Sequence, residues 1–258
     1  MGSRSTTIRT ARVPEHRRGV PVTLPPAGAV SPGAQQLSML GAEPDRRERV
    51  EPLPGVVLIP GFLDADGQRE LVAEFRRWSV PPAGLRHPRV PTGHRMTVQS
   101  VCLGWHWFPY VYSRTADDTD GAPVKPMTDL VIGLGRRAVA DAYGAEAGAA
   151  YAPDAVIANL YGPGAHLGLH QDGEEPADAP VVTISVGDTC VFRLAGVDRR
   201  TGPFTDVELR SGDLLVFGGA NRRIFHGVPR VVEGTAPDDL GLPPGRLSLT
   251  TRETGLTD

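Results

Sequence analysis

The sequence predicts a mainly β fold of the α+β class: a double-stranded β-helix (jelly roll) with helices from the N-terminal half packed outside it. Three observations carry that reading. From residue 155 onward, apolar residues recur with period 2 in short runs, AVIANLY, HLGLHQD, VVTISVG, TCVFRL, DVELR, DLLVFGG and RLSLTTR. Gly, Pro and Asp separate the runs, as in an antiparallel barrel or jelly roll. Before residue 155 the dominant apolar period is helical.

The elements follow in order. With 258 residues, 40% of them hydrophobic, the chain can build one sizeable core plus a tail. Residues 1–48 are rich in Pro, Gly, Arg and Ser and have no periodicity, so they read as a disordered tail. Arginines outnumber acids there, enough to graze nucleic acid. Order is expected from Val56, Val57, Leu58 and Ile59, a short apolar strand. Asp64 then caps a helix whose Leu71, Val72, Phe75 and Trp78 share one face. Residues 80–95 are a Pro- and Arg-rich loop. A second helix covers Thr128 to Tyr143 and stops at Gly144. The expected domain is therefore 49–258, with 49–150 an N-terminal extension and 151–258 the β core.

Composition excludes some classes. No run approaches the roughly 18 apolar residues of a membrane span, and no apolar signal segment opens the chain. Cys102 and Cys190 are far apart and form no CxxC pair, which fits a reducing cytoplasm. Net charge is −3, which neither favours nor opposes nucleic acid. Lys125 is the only lysine among 27 basic residues, so the arginine excess is a compositional bias before it is a phosphate signal. Nothing demands more than a monomer.

The chemistry concentrates at His170-Gln171-Asp172. Residues two apart in a strand project to the same face, so His170 and Asp172 can reach one ion. His226, 54 residues after Asp172 and just before Gly227, is expected at the end of a strand and supplies the third ligand. Two imidazoles and one carboxylate on one face leave positions open, which suits non-haem Fe(II). An HxD pair alone is common by chance and is more often structural; a structural zinc site would require four protein ligands, and only three are in view. His166 shares the parity of His170 but lies about 13 Å away along the strand, too far to share the ion, and is read as a rim residue.

The last run alternates Arg246, Ser248, Thr250 and Arg252 on one face with Leu247 and Leu249 on the other. Two inward guanidinium groups in a small barrel need anionic partners. A dicarboxylate suits their forked geometry. Asn159 and Tyr161 share a face and can bond the same ligand. The bland alternative is an edge strand with solvated arginines.

Together these motifs resemble the AlkB family of Fe(II)- and 2-oxoglutarate-dependent nucleic-acid dealkylases. The resemblance spans residues 53–254. It rests on Asn159-Leu160-Tyr161-Gly162-Pro163-Gly164, Leu169-His170-Gln171-Asp172, Glu175-Pro176, Gly212-Asp213, Gly218-Gly219, Phe225-His226-Gly227, and Arg246 with Arg252. It implies that His170, Asp172 and His226 ligate iron, with O2 as the second cosubstrate. It implies that Asn159, Tyr161, Arg246, Ser248 and Arg252 hold 2-oxoglutarate, Arg246 at the distal carboxylate. On the substrate side it implies that Trp105 stacks on the flipped base, that Tyr110 and Tyr112 contact the substrate strand, and that Glu174 and Arg199 line its site. Two residues depart from the bacterial pattern: Glu174 stands for an Asp, and Ser248 for an Asn.

The implied reaction removes N-alkyl groups from bases such as 1-methyladenine and 3-methylcytosine in alkylated DNA, single- or double-stranded, or in RNA. It is coupled to decarboxylation of 2-oxoglutarate to succinate and CO2, with release of formaldehyde. Such bases are cationic, so an aromatic platform and a nearby carboxylate would favour them, and their blocked pairing makes flipping easier. Arg86, Arg89, His94 and Arg95 are placed to meet phosphates; the alternative is a solvated basic loop. A hydroxylase of a protein, a tRNA base or a small metabolite, and a non-catalytic sensor of alkylated DNA, are the competing readings.

Overall fold

The computed structural model describes residues 47–257. The expectation of a disordered tail over residues 1–48 lies outside them except at its end. There Arg47 donates through Nη1 and Nη2 to both oxygens of the fully buried Asp213, at 2.8 and 2.7 Å. Order therefore reaches back beyond the boundary expected at Val56, and a strand β1 (Val50–Leu53) precedes β2 (Val56–Ile59).

The larger sheet has seven antiparallel strands, in the order β1, β2, β11 (Leu214–Phe217), β8 (Val181–Gly187), β13 (Arg246–Arg252), β6 (Ala155–Tyr161) and β3 (Gln99–Leu103). The smaller sheet has four: β10 (Thr205–Leu209), β9 (Thr189–Leu194), β12 (His226–Val232) and β7 (Leu167–His170). A separate hairpin joins β4 (His106–Phe108) to β5 (Val111–Ser113). The jelly roll expected from the period-2 runs is thus present, and β6, β8, β9 and β13 coincide with four of those runs.

Alternation sorts the side chains of the larger sheet into two layers. Val57, Val156, Ala158, Leu160, Val182, Ile184, Leu247 and Leu249 pack toward the helices. There they meet Leu71, Val72, Phe75 and Trp78 of α1 (Ala65–Ser79) and Val131, Leu134, Ala138 and Val139 of α2 (Asp129–Tyr143). As expected, Asp64 caps α1 by accepting from Gly67 N at 2.9 Å, and α2 ends at Gly144. Val56, Leu58, Tyr161, Leu215 and Phe217 point the other way and meet Phe192, Leu194 and Ile224 between the sheets. Burying two apolar layers, at about 25 cal/mol per Å2, fixes the register: a one-residue slip would exchange every inward and outward side chain.

That alternation also delivers the polar residues. Arg246, Ser248, Thr250 and Arg252 all point between the sheets and are buried, as the sequence predicted. β12 differs from expectation, since His226 opens this strand rather than ending one. Pro229 and Arg230 break the apolar alternation that would have revealed it. The β12–β9 register shifts between Gly227 and Arg230, the kind of irregularity at which a strand tolerates proline. No helix among the described residues is long and apolar enough to cross a membrane.

Candidate active site

His170 and His226 are direct partners in the β7–β12 ladder, and their rings lie 4.4 Å apart, centre to centre. Strand pairing alone brings the two distant histidines together. Asp172 lies two residues past the end of β7, so it joins them from a loop rather than from the strand face. One ligand atom from each of the three lies within 4.8 Å of the other two.

The remaining polar atoms of these side chains are already engaged. His170 Nδ1 meets Gly168 O and His226 Nδ1 meets Ile224 O, each at 3.0 Å. A carbonyl can only accept, so both Nδ1 atoms carry the proton and both Nε2 lone pairs are free to ligate. Arg252 donates from Nε and Nη2 to Asp172 Oδ2 at 3.0 and 2.7 Å. Asp172 Oδ1 is left 3.8 Å from His170 Nε2.

Electrostatics keeps the ligands in their binding forms. Burial works against the Asp172 charge, but Arg252 and the two histidines outweigh it and hold the carboxyl well below its usual range. Burial, with the neighbouring His170, lowers His226 to about 4, so it is neutral at neutral pH. Phe192 stacks on the His226 ring at 5.6 Å and Phe217 packs against it at 4.9 Å, excluding water from one side.

Below the triad is a small cleft lined by Asn159, Tyr161, Thr183, His226, Ser248 and Arg252, among others. Next to it lies Arg246, fully buried, with Nε on Ser185 Oγ at 2.8 Å and Nη2 on Ser248 Oγ at 3.3 Å. Its Nη1 and that of Arg252 are buried without a partner. Orphaned guanidinium donors this deep call for an anion. Ser248 therefore meets Arg246 as well as the cleft, and Asn159 Oδ1 accepts from Ser100 Oγ at 2.5 Å.

Above the triad opens a second cleft of about 240 Å3. Met96, Trp107, Tyr110, Tyr112, Glu174 and Arg200 wall it, and His170, Asp172 and Arg252 lie at its floor. Tyr112 donates to Glu175, which also contacts Arg252 at 3.3 Å and Arg222 at 3.4 Å. Glu175 and Arg222 were not among the expected site residues; the Glu175-Pro176 motif is the signal that could have found the first, and nothing in the sequence separates Arg222 from its neighbour Arg223. Glu174 is half-buried, and burial raises its pKa, helped by the Glu175 and Asp172 charges.

Three of the expected residues lie apart from this cleft. Trp105 does not line this cleft: it is buried, its Nε1 donates to Asp154 Oδ2 at 3.2 Å, and Arg114 covers its ring. The turn at Gly104 (φ +75°) directs it there, and an added Cβ would lie 1.9 Å from Asp154 O. Trp107 takes the wall position instead. It pairs across the hairpin with Tyr112, so it shares the face of Tyr112, a relation readable once the hairpin is recognised. Arg199 is exposed and outside the cleft, while its neighbour Arg200 lines it. Arg86 is buried and bonded internally, so it is unavailable to phosphate; Arg89, His94, Arg95 and His166 are exposed.

Residues 55–252 match the 2OG-Fe(II) oxygenase superfamily. The AlkB homolog of Caulobacter vibrioides is 35% identical over 205 residues, 78% of this chain and 88% of that protein. The chain belongs to the AlkB family. AlkB of Escherichia coli is 34% identical over 66% of the chain and 78% of its own length. A DNA N(6)-methyladenine demethylase of Arabidopsis thaliana, ALKBH1D, is 37% identical over 77% of the chain. The chain spans about half the length of this plant AlkB relative, 49%. The solved structure of OsALKBH1 superposes with a TM-score of 0.72 at 32% identity, covering 80% of this chain and all of that one. The superfamily uses Fe(II), 2-oxoglutarate and O2, and the His-Asp-His cluster beside orphaned guanidinium donors fits that set.

Proposed function

We propose that the chain, through a domain spanning 49–258, oxidatively removes alkyl groups from ring or exocyclic nitrogens of nucleobases in alkylated DNA. The observation that carries this is the junction of the two clefts. Three ligand atoms within 4.8 Å of one another lie between an aromatic-walled opening and buried, unpaired arginine donors.

In this reading His170, Asp172 and His226 hold Fe(II). Arg246, Tyr161, Asn159, Ser248 and Arg252 hold 2-oxoglutarate, with Arg246 on its far carboxylate. Bound together, iron, 2-oxoglutarate and O2 supply oxidation of an N-methyl carbon, with release of succinate and CO2. The hydroxylated carbon then leaves as formaldehyde and the base is restored. The protein binds, orients and desolvates. Trp107 and Tyr112 offer a stacking wall, and Glu174 favours a cationic base. Tyr110, 64% exposed at the mouth, meets the substrate strand, and exposed Arg89, Arg95 and Arg200 meet phosphates. The enzyme works as a cytoplasmic monomer; its two buried cysteines are free, which supports a reducing compartment.

The test is a panel of single- and double-stranded DNA and RNA oligonucleotides carrying 1-methyladenine, 3-methylcytosine or N6-methyladenine, the last because the plant relative is named for it. Mass spectrometry reads methyl loss and succinate together. Equal succinate and methyl loss on a DNA arm supports the proposal. Succinate without methyl loss on any arm would favour a protein or metabolite hydroxylase, and no succinate under any condition would favour a non-catalytic sensor.

A further inference from the structure

We infer that Arg86, Asp118 and His106 form a positioning cluster that fixes Trp107, and with it the wall of the upper cleft; its consequence for substrate rests on the proposed dealkylation. In β4 adjacent side chains point to opposite faces. Trp107 faces the cleft, while His106, 1% exposed, faces inward. There His106 Nε2 donates to Asp118 Oδ1 at 2.6 Å. Arg86, 8% exposed, reaches the same carboxylate from Nε at 3.2 Å.

The same guanidinium then spans two backbones. Nη1 donates to Ser100 O at 2.9 Å and Nη2 to Trp107 O. Beside it, Trp107 N donates to Cys102 Sγ at 3.4 Å, and that sulfur lies 3.6 Å from Arg86 Nη1. Both polar backbone atoms of Trp107 are thus engaged. Ser100 in turn bonds Asn159, which lines both clefts. The cluster thus joins the wall to the cosubstrate side through contiguous contacts.

A buried ion pair is weak support for stability, because apolar residues of similar volume usually serve as well. What this one supplies is direction. The planar fork holds a carboxylate and two carbonyls at fixed, spread positions, whereas a lysine ammonium offers its three donors from a single point.

Arg86→Lys and Asp118→Asn in the full chain test this. The indole N–H resonance of Trp107, assigned through Trp107→Phe, reads its position, and that of Trp78 in α1 serves as reference. KM and kcat for a methylated oligonucleotide read the consequence. The expected result is a shifted Trp107 resonance with Trp78 unmoved, and a KM raised roughly tenfold with kcat changed far less. An unmoved Trp107 resonance, or an unchanged KM in a variant that only melts earlier, overturns the inference. Should Arg86→Lys fail to fold, Asp118→Asn decides. If the wild-type protein removes no methyl group from any oligonucleotide, the functional reading fails, and the resonance alone still decides whether the cluster positions Trp107.

Discussion

Arg252 commits two donors to a single oxygen of Asp172, Oδ2, at 3.0 and 2.7 Å, and so leaves Oδ1 facing His170. The arginine selects which carboxylate oxygen is available to a metal. Arg252→Met removes that selection and is expected to weaken divalent-metal affinity by roughly 10–100-fold, the usual cost of losing such a supporting contact. Calorimetric titration with Co(II) as an oxygen-stable probe reads it; unchanged affinity would mean that Arg252 does not orient the ligand.

Arg246 separates ligand binding from stability. Its unpaired Nη1 gains a charge-assisted partner only when an anion arrives, worth about 1.5–3 kcal/mol. Arg246→Met is therefore expected to raise KM for 2-oxoglutarate by about 10–100-fold. The ligand-free variant should melt no earlier than wild type, since a buried unpaired charge is removed. Succinate kinetics and thermal unfolding check both halves.

The two tryptophans should respond in opposite ways. Trp107→Ala removes the cleft wall and is expected to raise KM for a methylated oligonucleotide about tenfold or more, given about 1–3 kcal/mol per stacked base. Trp105→Phe loses the bond to Asp154, costing about 1 kcal/mol of stability, with KM unmoved. Chemical denaturation beside steady-state kinetics distinguishes them.

Asp213 is fully buried and accepts from Arg47, Gly61 N and Arg210 N. Asp213→Ala leaves those donors uncompensated and is expected to cost about 3–5 kcal/mol in urea unfolding.

Metal-free protein should lose stability in mild acid. His226 is lowered to about 4 by burial, with the neighbouring His170, from the ordinary imidazole value of 6.5, so the unfolded chain takes up its proton first as pH falls. The folded state is then disfavoured progressively between 6.5 and about 4, by a few kcal/mol. Unfolding of the metal-free protein across that range should show the loss, and His226→Gln should flatten it.

Much of this was readable from the chain because burial imposes period 2. The alternation Arg246, Leu247, Ser248, Leu249 announced a strand with one polar face turned inward, and β13 has that form. The histidine pair was legible in identity but not in cause, since the β7–β12 register that makes His170 and His226 neighbours is hidden by Pro229. The substrate wall was least legible. Trp105 and Trp107 are both plausible by residue type, and only the turn at Gly104 and the cross-strand pairing of Trp107 with Tyr112 decide between them. The Arg86 cluster was opaque because an arginine in a Pro-rich loop reads as solvated until its partners, Ser100, Trp107 and Asp118, are folded around it.

The most direct test is an anaerobic titration of the wild-type chain with Fe(II) in the presence of 2-oxoglutarate, following the visible charge-transfer absorption of an iron-chelated 2-oxoacid. The band should saturate at one iron per chain, vanish in His170→Ala and His226→Ala, and require more 2-oxoglutarate in Arg246→Met. A wild-type chain that develops no band, or histidine variants that develop it undiminished, would contradict the assignment.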